Sequence, residues 1–291
     1  MTSRREFLTV AGAGAGSLAL AGRSLAGRAS QDATWLGYAV NVEMFWKGLP
    51  LLDRLKKVAE AGFAHYEFWS FKTKDILAVD KASKELNLTP VQFTAYSGIT
   101  DPRKKAPFLE AIDDAIEVAD RLGVKKLTVV AGEVVKDMDR EAMLDAVVDA
   151  LKEAAEKVKE HEITILLEPL NVLVDHPRQF VVTSKDAAEV IDAVGSTSVK
   201  ILFDVYHQQI SEGNLSGNIK KYFDKIGYFQ VADHPGRFQP GTGEINYPYI
   251  LKLIHDLGYK DIIGLEMKPK GDPLEALKAL READAAAKSL G

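Results

Sequence analysis

The chain has 291 residues, 46% of them hydrophobic, and 42 acidic against 37 basic side chains give a net charge of −5. That length suits one large core, as in single-domain α/β barrels, and the negative balance provides no field for gripping phosphate backbones, so no nucleic-acid partner is expected. The absence of cysteine excludes disulfides, thiolate zinc sites and cysteine nucleophiles.

Residues 1–30 have the layout of a bacterial export signal. Arg4 and Arg5 precede an apolar, Gly/Ala-rich stretch from Phe7 to Ala21, followed by the small-residue patterns Ala19-Leu20-Ala21 and Ser24-Leu25-Ala26. The Ser-Arg-Arg-x-Phe-Leu form resembles the twin-arginine type. It predicts a periplasmic or secreted protein, cut after Ala21 or Ala26, with no stable membrane association once the signal is removed. The alternative is an uncleaved anchor, although the run is short and glycine-loosened for a bilayer span of ~20 residues. Residues 31–291 then form the folded domain.

From Trp35 onward, short apolar runs alternate with longer amphipathic ones. Strands are predicted at 35–42, 65–71, 90–96, 125–131, 163–168, 199–204, 226–232 and 261–267. Their density in Val, Ile, Leu and aromatics suits a parallel sheet covered on both faces. A helix at 50–61 starts on Pro50 and stops before Gly62, and another at 105–122 stops before Gly123. A long Ala/Glu/Lys/Val helix spans 139–160, and Asp272-Pro273 opens a last one to about Lys288. Eight strands alternating with helices predict an α/β fold, a single (β/α)₈ barrel. An open doubly wound sheet would instead carry a Gly-rich turn after its first strand, whereas Gly12, Gly14 and Gly16 belong to the signal. The longest irregular stretch, 233–246, follows the seventh strand.

Four strands finish on a polar residue after an apolar run: Glu168, Asp204, Gln230 and Glu266. In a barrel enzyme the chemistry sits at these ends. Converging carboxylates repel one another unless a cation lies between them. Three carboxylates and a carboxamide oxygen predict one divalent metal, Mn²⁺ or Mg²⁺ ahead of Co²⁺ or Zn²⁺. Any one of these acids alone reads better as a helix cap or a surface ion pair; for three at matched strand ends, beside Gln230, that becomes the weaker reading. His207, three residues past Asp204, stands on the rim, where a neutral imidazole can donate to a substrate oxygen. Arg237 in the 233–246 loop is either an anchor for an anionic group or an exposed loop cation. Glu67 and Lys268 can each reach the substrate or pair with neighbours. Trp46, Trp69 and Tyr96 can wall the pocket or simply pack in the core. His65, His161 and His255 read as structural or exposed, and His176 and His234 lie in loops near the active end.

The segments 166–171 (LLEPLN), 203–207 (FDVYH), 229–237 (FQVADHPGR), 241–247 (GTGEINY) and 264–269 (GLEMKP) resemble, in this order, the hydroxypyruvate isomerase family of xylose-isomerase-like TIM barrels. The likeness runs from Trp35 to the last helix, more loosely before residue 70, where Asn41 and Glu67-Phe68-Trp69 carry it. The resemblance implies that Glu168 and Glu266 are both metal ligands and the acid/base pair, that Asp204 and Gln230 complete the metal shell, and that His207 and Arg237 touch substrate. Related ketose epimerases place a histidine ligand where this chain has Gln230.

The implied reaction moves a proton between adjacent carbons of an α-hydroxycarbonyl compound through an enediolate, converting hydroxypyruvate to tartronate semialdehyde. An exported enzyme would also meet free sugars, so a ketose 3-epimerase or keto-sugar isomerase is the rival. A metal-dependent phosphodiesterase would need several zinc ions and many histidines, and a non-catalytic sugar-binding barrel would not need the acid pair. The partner expected is a small keto-acid or sugar; a homo-oligomer is compatible with the fold, although no apolar helix stripe names an interface.

Overall fold

The structure, a computed structural model, describes residues 34–290. The predicted export signal and its cut sites therefore lie outside the described residues. Eight parallel strands close in sequential order: Gly37–Asn41 (β1), His65–Phe68 (β2), Thr89–Ser97 (β3), Lys126–Val130 (β4), Thr164–Leu167 (β5), Val199–Asp204 (β6), Ile226–Gln230 (β7) and Ile262–Leu265 (β8). β1 pairs with both β2 and β8, which completes the predicted (β/α)₈ barrel.

Around it lie Leu51–Glu60 (α1), Ile76–Leu86 (α2), Lys105–Leu122 (α3), Arg140–Lys159 (α4), Ser184–Val194 (α5), Val205–Ser211 (α6), Leu215–Tyr222 (α7), Tyr247–Asp256 (α8) and Pro273–Ser289 (α9). The helices with clean start and stop signals match the sequence reading within a residue. α3 ends on Gly123 in the left-handed region at φ 71°, and Asp139 caps α4 by accepting from the Ala142 amide. Among the described residues no helix is long and apolar enough to cross a membrane.

The two-residue alternation of the strands divides two layers of core. Leu167, Phe203 and Phe229 point outward into the main apolar cluster under the helices. Leu166, Leu202 and Tyr228 point inward and pack together inside the barrel. Residues two positions further on along each strand then face inward at the C-terminal mouth. By that parity Glu168, Asp204 and Gln230 share the barrel interior.

The seam between residues 35–38 and α9 is closed by a buried carboxylate. Asp284 of α9 accepts from the Trp35 amide at 2.5 Å, the Leu36 amide at 3.1 Å and the Tyr38 hydroxyl at 2.8 Å. Asp284→Ala strands these buried donors, each worth roughly 1–3 kcal/mol when unsatisfied. The variant is expected to lose about 3 kcal/mol in urea unfolding, and a loss under about 0.5 kcal/mol would contradict this reading.

Candidate active site

Asp204 and Gln230 are the last residues of β6 and β7 and stand opposite one another in register, while Gln230 in turn pairs with Gly264. Glu168 and Glu266 follow directly on β5 and β8. One ligand atom from each of Glu168, Asp204, His207 and Glu266 lies within 4.8 Å of the others, and all four side chains are buried. Matched strand ends and common parity thus bring the acids together, as the sequence predicts.

The 233–246 loop delivers Arg237 into this cluster. Asp233 organises the loop by accepting from the amides of Gly241, Thr242 and Gly243 on one oxygen and Ile245 on the other, at 2.9–3.1 Å. At Gly243 a Cβ would stand 2.0 Å from the His234 carbonyl oxygen, so the turn has room only for glycine. Arg237 adopts φ 61°, a left-handed conformation that costs a non-glycine residue roughly 1–2 kcal/mol. Both ends of the residue are held: its carbonyl accepts from the Lys268 amide at 2.7 Å and its Nε donates to the Glu266 carbonyl at 3.2 Å. Its guanidinium donates to Asp204 at 3.1 Å and Glu266 at 2.5 Å, and lies 5.1 Å from the centre of the Tyr206 ring. Arg237 is therefore not an exposed loop cation.

Electrostatics follow from burial. Removal from water, then the neighbouring Glu266 and Asp204 charges, push the Glu168 carboxyl well above its ordinary value, against the pull of Arg237. Burial likewise raises Asp204 to about 7 although Arg237 opposes it. Burial disfavours the charge on Arg237, but Glu266, Asp204 and Glu168 outweigh it and hold the guanidinium protonated.

His207 is fixed as a neutral donor. The Val174 and Asp175 amides donate to Asn171 Oδ1 at 3.0 and 3.1 Å, so the Asn171 amide nitrogen must face the other way, 2.7 Å from His207 Nδ1. The Asn171 backbone amide approaches the same nitrogen at 3.4 Å. With donors on Nδ1, the proton resides on Nε2. Burial, then Arg237 and His176, hold its pKa well below the ordinary imidazole value. Nε2–H is buried, has no hydrogen-bond partner among the described residues, and is 3.6 Å from Asp204.

Gln230 Oε1 is likewise buried without a partner. The buried cluster of three carboxylates with His207 could hold a metal ion, and Gln230, in register beside Asp204, is an oxygen donor at the same end of the barrel. Trp69, partly exposed on the rim, donates its indole N–H to Glu266 at 2.5 Å, a link that sequence spacing does not reveal.

Of the two readings for Glu67, the structure shows the pairing with neighbours: it is fully buried and accepts from Asn41, Gln92, Tyr228 and Gln230 at 2.8–3.1 Å. Burial and Glu266 raise its carboxyl to about 7, while the hydrogen bonds from Gln92, Asn41 and Tyr228 pull it down. With donors on both oxygens, the ionised form is the one the network accommodates. Lys268 is exposed and lines a rim cleft of about 690 Å³ with Trp46 and Phe238, which none of the clustered acids lines. Tyr96 packs on Phe108 of α3 at 5.4 Å, outside the barrel. His176, in the loop after β5, lies 5.5 Å from the His207 ring.

A family model described as Xylose isomerase-like TIM barrel matches residues 55–284. Hydroxypyruvate isomerase of Escherichia coli (strain K12) is 33% identical, covering 81% of this chain and 94% of its own length. A 2-oxo-tetronate isomerase of Cupriavidus necator is 32% identical over 80% of this chain and 93% of its own. Among solved structures, one titled AP endonuclease, family 2, from Brucella melitensis superposes with a TM-score of 0.80 at 29% identity, covering 83% of this chain and 96% of that one. Fold, site geometry and these likenesses agree: the chain belongs to the hydroxypyruvate isomerase family of xylose isomerase-like TIM barrels, and it is an isomerase.

Proposed function

We propose that the protein is a metal-dependent isomerase of a short 2-oxo acid, converting hydroxypyruvate to tartronate semialdehyde. The observation that carries this reading is the buried convergence of Glu168, Asp204 and Glu266 beside the unpartnered Gln230 Oε1, with Arg237 among them. Glu168, Asp204, Gln230 and Glu266 hold the metal, Mn²⁺ or Mg²⁺ by the hardness of the donors. When bound, such a cation offsets the negative charge that develops on the two substrate oxygens.

This chain's own residues do the rest. One of Glu168 and Glu266 takes the proton from C3 of hydroxypyruvate, the carbinol carbon, and the same or the opposite glutamate delivers a proton to C2. The hydroxyl proton passes from O3 to O2, leaving an aldehyde at C3 and a hydroxyl at C2. His207 Nε2–H donates to a substrate oxygen, and its low pKa keeps it a neutral donor throughout. Arg237 binds the substrate carboxylate.

Its buried, protonated guanidinium favours an anionic substrate over the neutral sugar of a ketose 3-epimerase. A single histidine in the cluster also disfavours a multi-zinc phosphodiesterase. The 2-oxo-tetronate isomerase likeness keeps a four-carbon 2-oxo acid as the second substrate to test. The deciding assay offers the Mn²⁺-loaded protein hydroxypyruvate, 2-oxo-tetronate and neutral ketoses in D₂O. Proton NMR should show deuterium entering hydroxypyruvate-derived product, and turnover of ketoses alone would sink the assignment.

Metal binding carries a pH signature. The ligands must be deprotonated, and Asp204 holds its proton to about 7. Mn²⁺ affinity is therefore expected to fall as pH drops from 8 through about 7. Without metal the sign reverses: the unfolded chain releases this proton near 4 and the native site keeps it to about 7, so stability falls as pH rises across that window. Thermal melts of chelated and Mn²⁺-loaded protein from pH 5 to 8 test both slopes.

The N-terminal pattern supports export by the twin-arginine pathway to the periplasm or medium. Changing Arg4 and Arg5 together to Lys should retain the full-length chain in the cytoplasm of a bacterial host. Unchanged fractionation would contradict this.

A further inference from the structure

We propose that Glu67 is the positioning residue that decides which end of the Gln230 carboxamide faces the metal site; the assignment rests on the metal reading above. A carboxamide has two ends of nearly the same shape, one a double donor and the other an acceptor, so its neighbours set its orientation. Only the oxygen end can ligate a cation. Gln230 has no donor holding its Oε1, which is buried without a partner. The carboxamide's sole hydrogen bond among the described residues runs from Nε2 to Glu67 Oε1 at 2.8 Å. The reverse orientation would place two acceptors against each other.

Glu67 can impose this choice because its own position is fixed from three further sides. Asn41 Oδ1 accepts from the Glu43 amide at 3.0 Å, which turns the Asn41 amide nitrogen toward Glu67 Oε1 at 2.9 Å. Gln92 Oε1 accepts from the Thr128 hydroxyl at 2.7 Å, which turns its nitrogen toward Glu67 Oε2 at 3.1 Å. Tyr228, inward-facing on the same strand as Gln230, donates to Oε2 at 2.8 Å. Gly264 supplies the room: a Cβ there would lie 2.4 Å from Glu67 Oε2 and 2.8 Å from Gln230 Cγ. The network is the carboxamide counterpart of the carboxylate that orients a metal-bound histidine through its second N–H. Glu67 thus acts on the site through Gln230.

The test is a double-mutant cycle on metal affinity in the full chain. A glutamine at position 67 can offer either a donor or an acceptor, so Gln230 is no longer obliged to present oxygen. Glu67→Gln is expected to weaken Mn²⁺ binding about 10- to 100-fold by calorimetry, the usual cost of losing a partner behind a ligand. In a Gln230→Ala background, where no carboxamide needs orienting, the same change should cost less than about threefold, the mark of a coupled pair. An equal loss in both backgrounds would show that Glu67 acts by charge or by supporting the fold, and would overturn the proposal. So would unchanged affinity in Glu67→Gln. NMR of the unsubstituted protein tests the same point without a variant at 67. The Gln230 side-chain amide protons should stay protected from exchange with and without Mg²⁺, and rapid exchange in both states would overturn the assignment. Failure of the unsubstituted protein to bind Mn²⁺ at all would sink the metal reading and this proposal with it, whereas the preceding failures sink this proposal alone.

Discussion

Glu168→Gln and Glu266→Gln should each lower turnover by about 10²- to 10⁴-fold, the range for loss of a positioned acid or base. Glutamine keeps the size of the side chain and one oxygen able to ligate, so the fold and much of the metal affinity should survive. What it removes is the capacity to accept a proton and return it. The two positions differ in surroundings. Glu168 has its carboxyl pushed up by burial and by the Glu266 and Asp204 charges, whereas Glu266 is held by Trp69 and Arg237. Removing the residue that takes the proton should abolish exchange of the substrate's carbinol hydrogen with D₂O. Removing only the residue that returns it should leave exchange while stopping product formation. The pair of measurements therefore assigns the two roles. Full activity in both variants at saturating Mn²⁺ would rule out the glutamate mechanism.

Arg237→Met should reduce kcat/KM for hydroxypyruvate about 10- to 100-fold, because a hydrogen bond to a charged group contributes roughly 1.5–3 kcal/mol. The loss should be far smaller for any neutral substrate. Arg237→Lys is expected to recover only part of it, since a lysine cannot present two N–H groups in one plane. The same substitution acts on the protein itself. Asp204 and Glu266 both pair with this guanidinium, and taking one partner from a buried ion pair costs about 3–5 kcal/mol. The chelated variant should therefore melt well below the parent, with Mn²⁺ restoring much of the difference. Equal loss on charged and neutral substrates would argue that Arg237 shapes the site without recognising a carboxylate.

The strand-end acids were legible because both of their coordinates are one-dimensional. Height follows from position along each strand, and inward direction follows from two-residue parity with Leu166, Leu202 and Tyr228. Arg237 could be placed only in its loop. Whether it enters the site depends on Asp233 gathering four backbone amides and on the glycine that leaves room for them. α5 shows a signal present but unread: Thr183 and Asp186 form a reciprocal capping box and Gly195 ends the helix. Asn171 lay within the family-like segment 166–171, yet its influence on the His207 tautomer depends on a turn that returns the Val174 and Asp175 amides to it.

The four polar strand ends and the eightfold alternation that aligns them are local patterns, and the sequence by itself determined them. The tertiary structure alone decided the partners: Glu67 against Gln230, Tyr96 against α3, Lys268 on the outer rim. The physical reason is that strand parity specifies which way a side chain points. Which donor meets which acceptor depends on barrel closure, and that brings together residues as distant in the chain as Asn41 and Glu266.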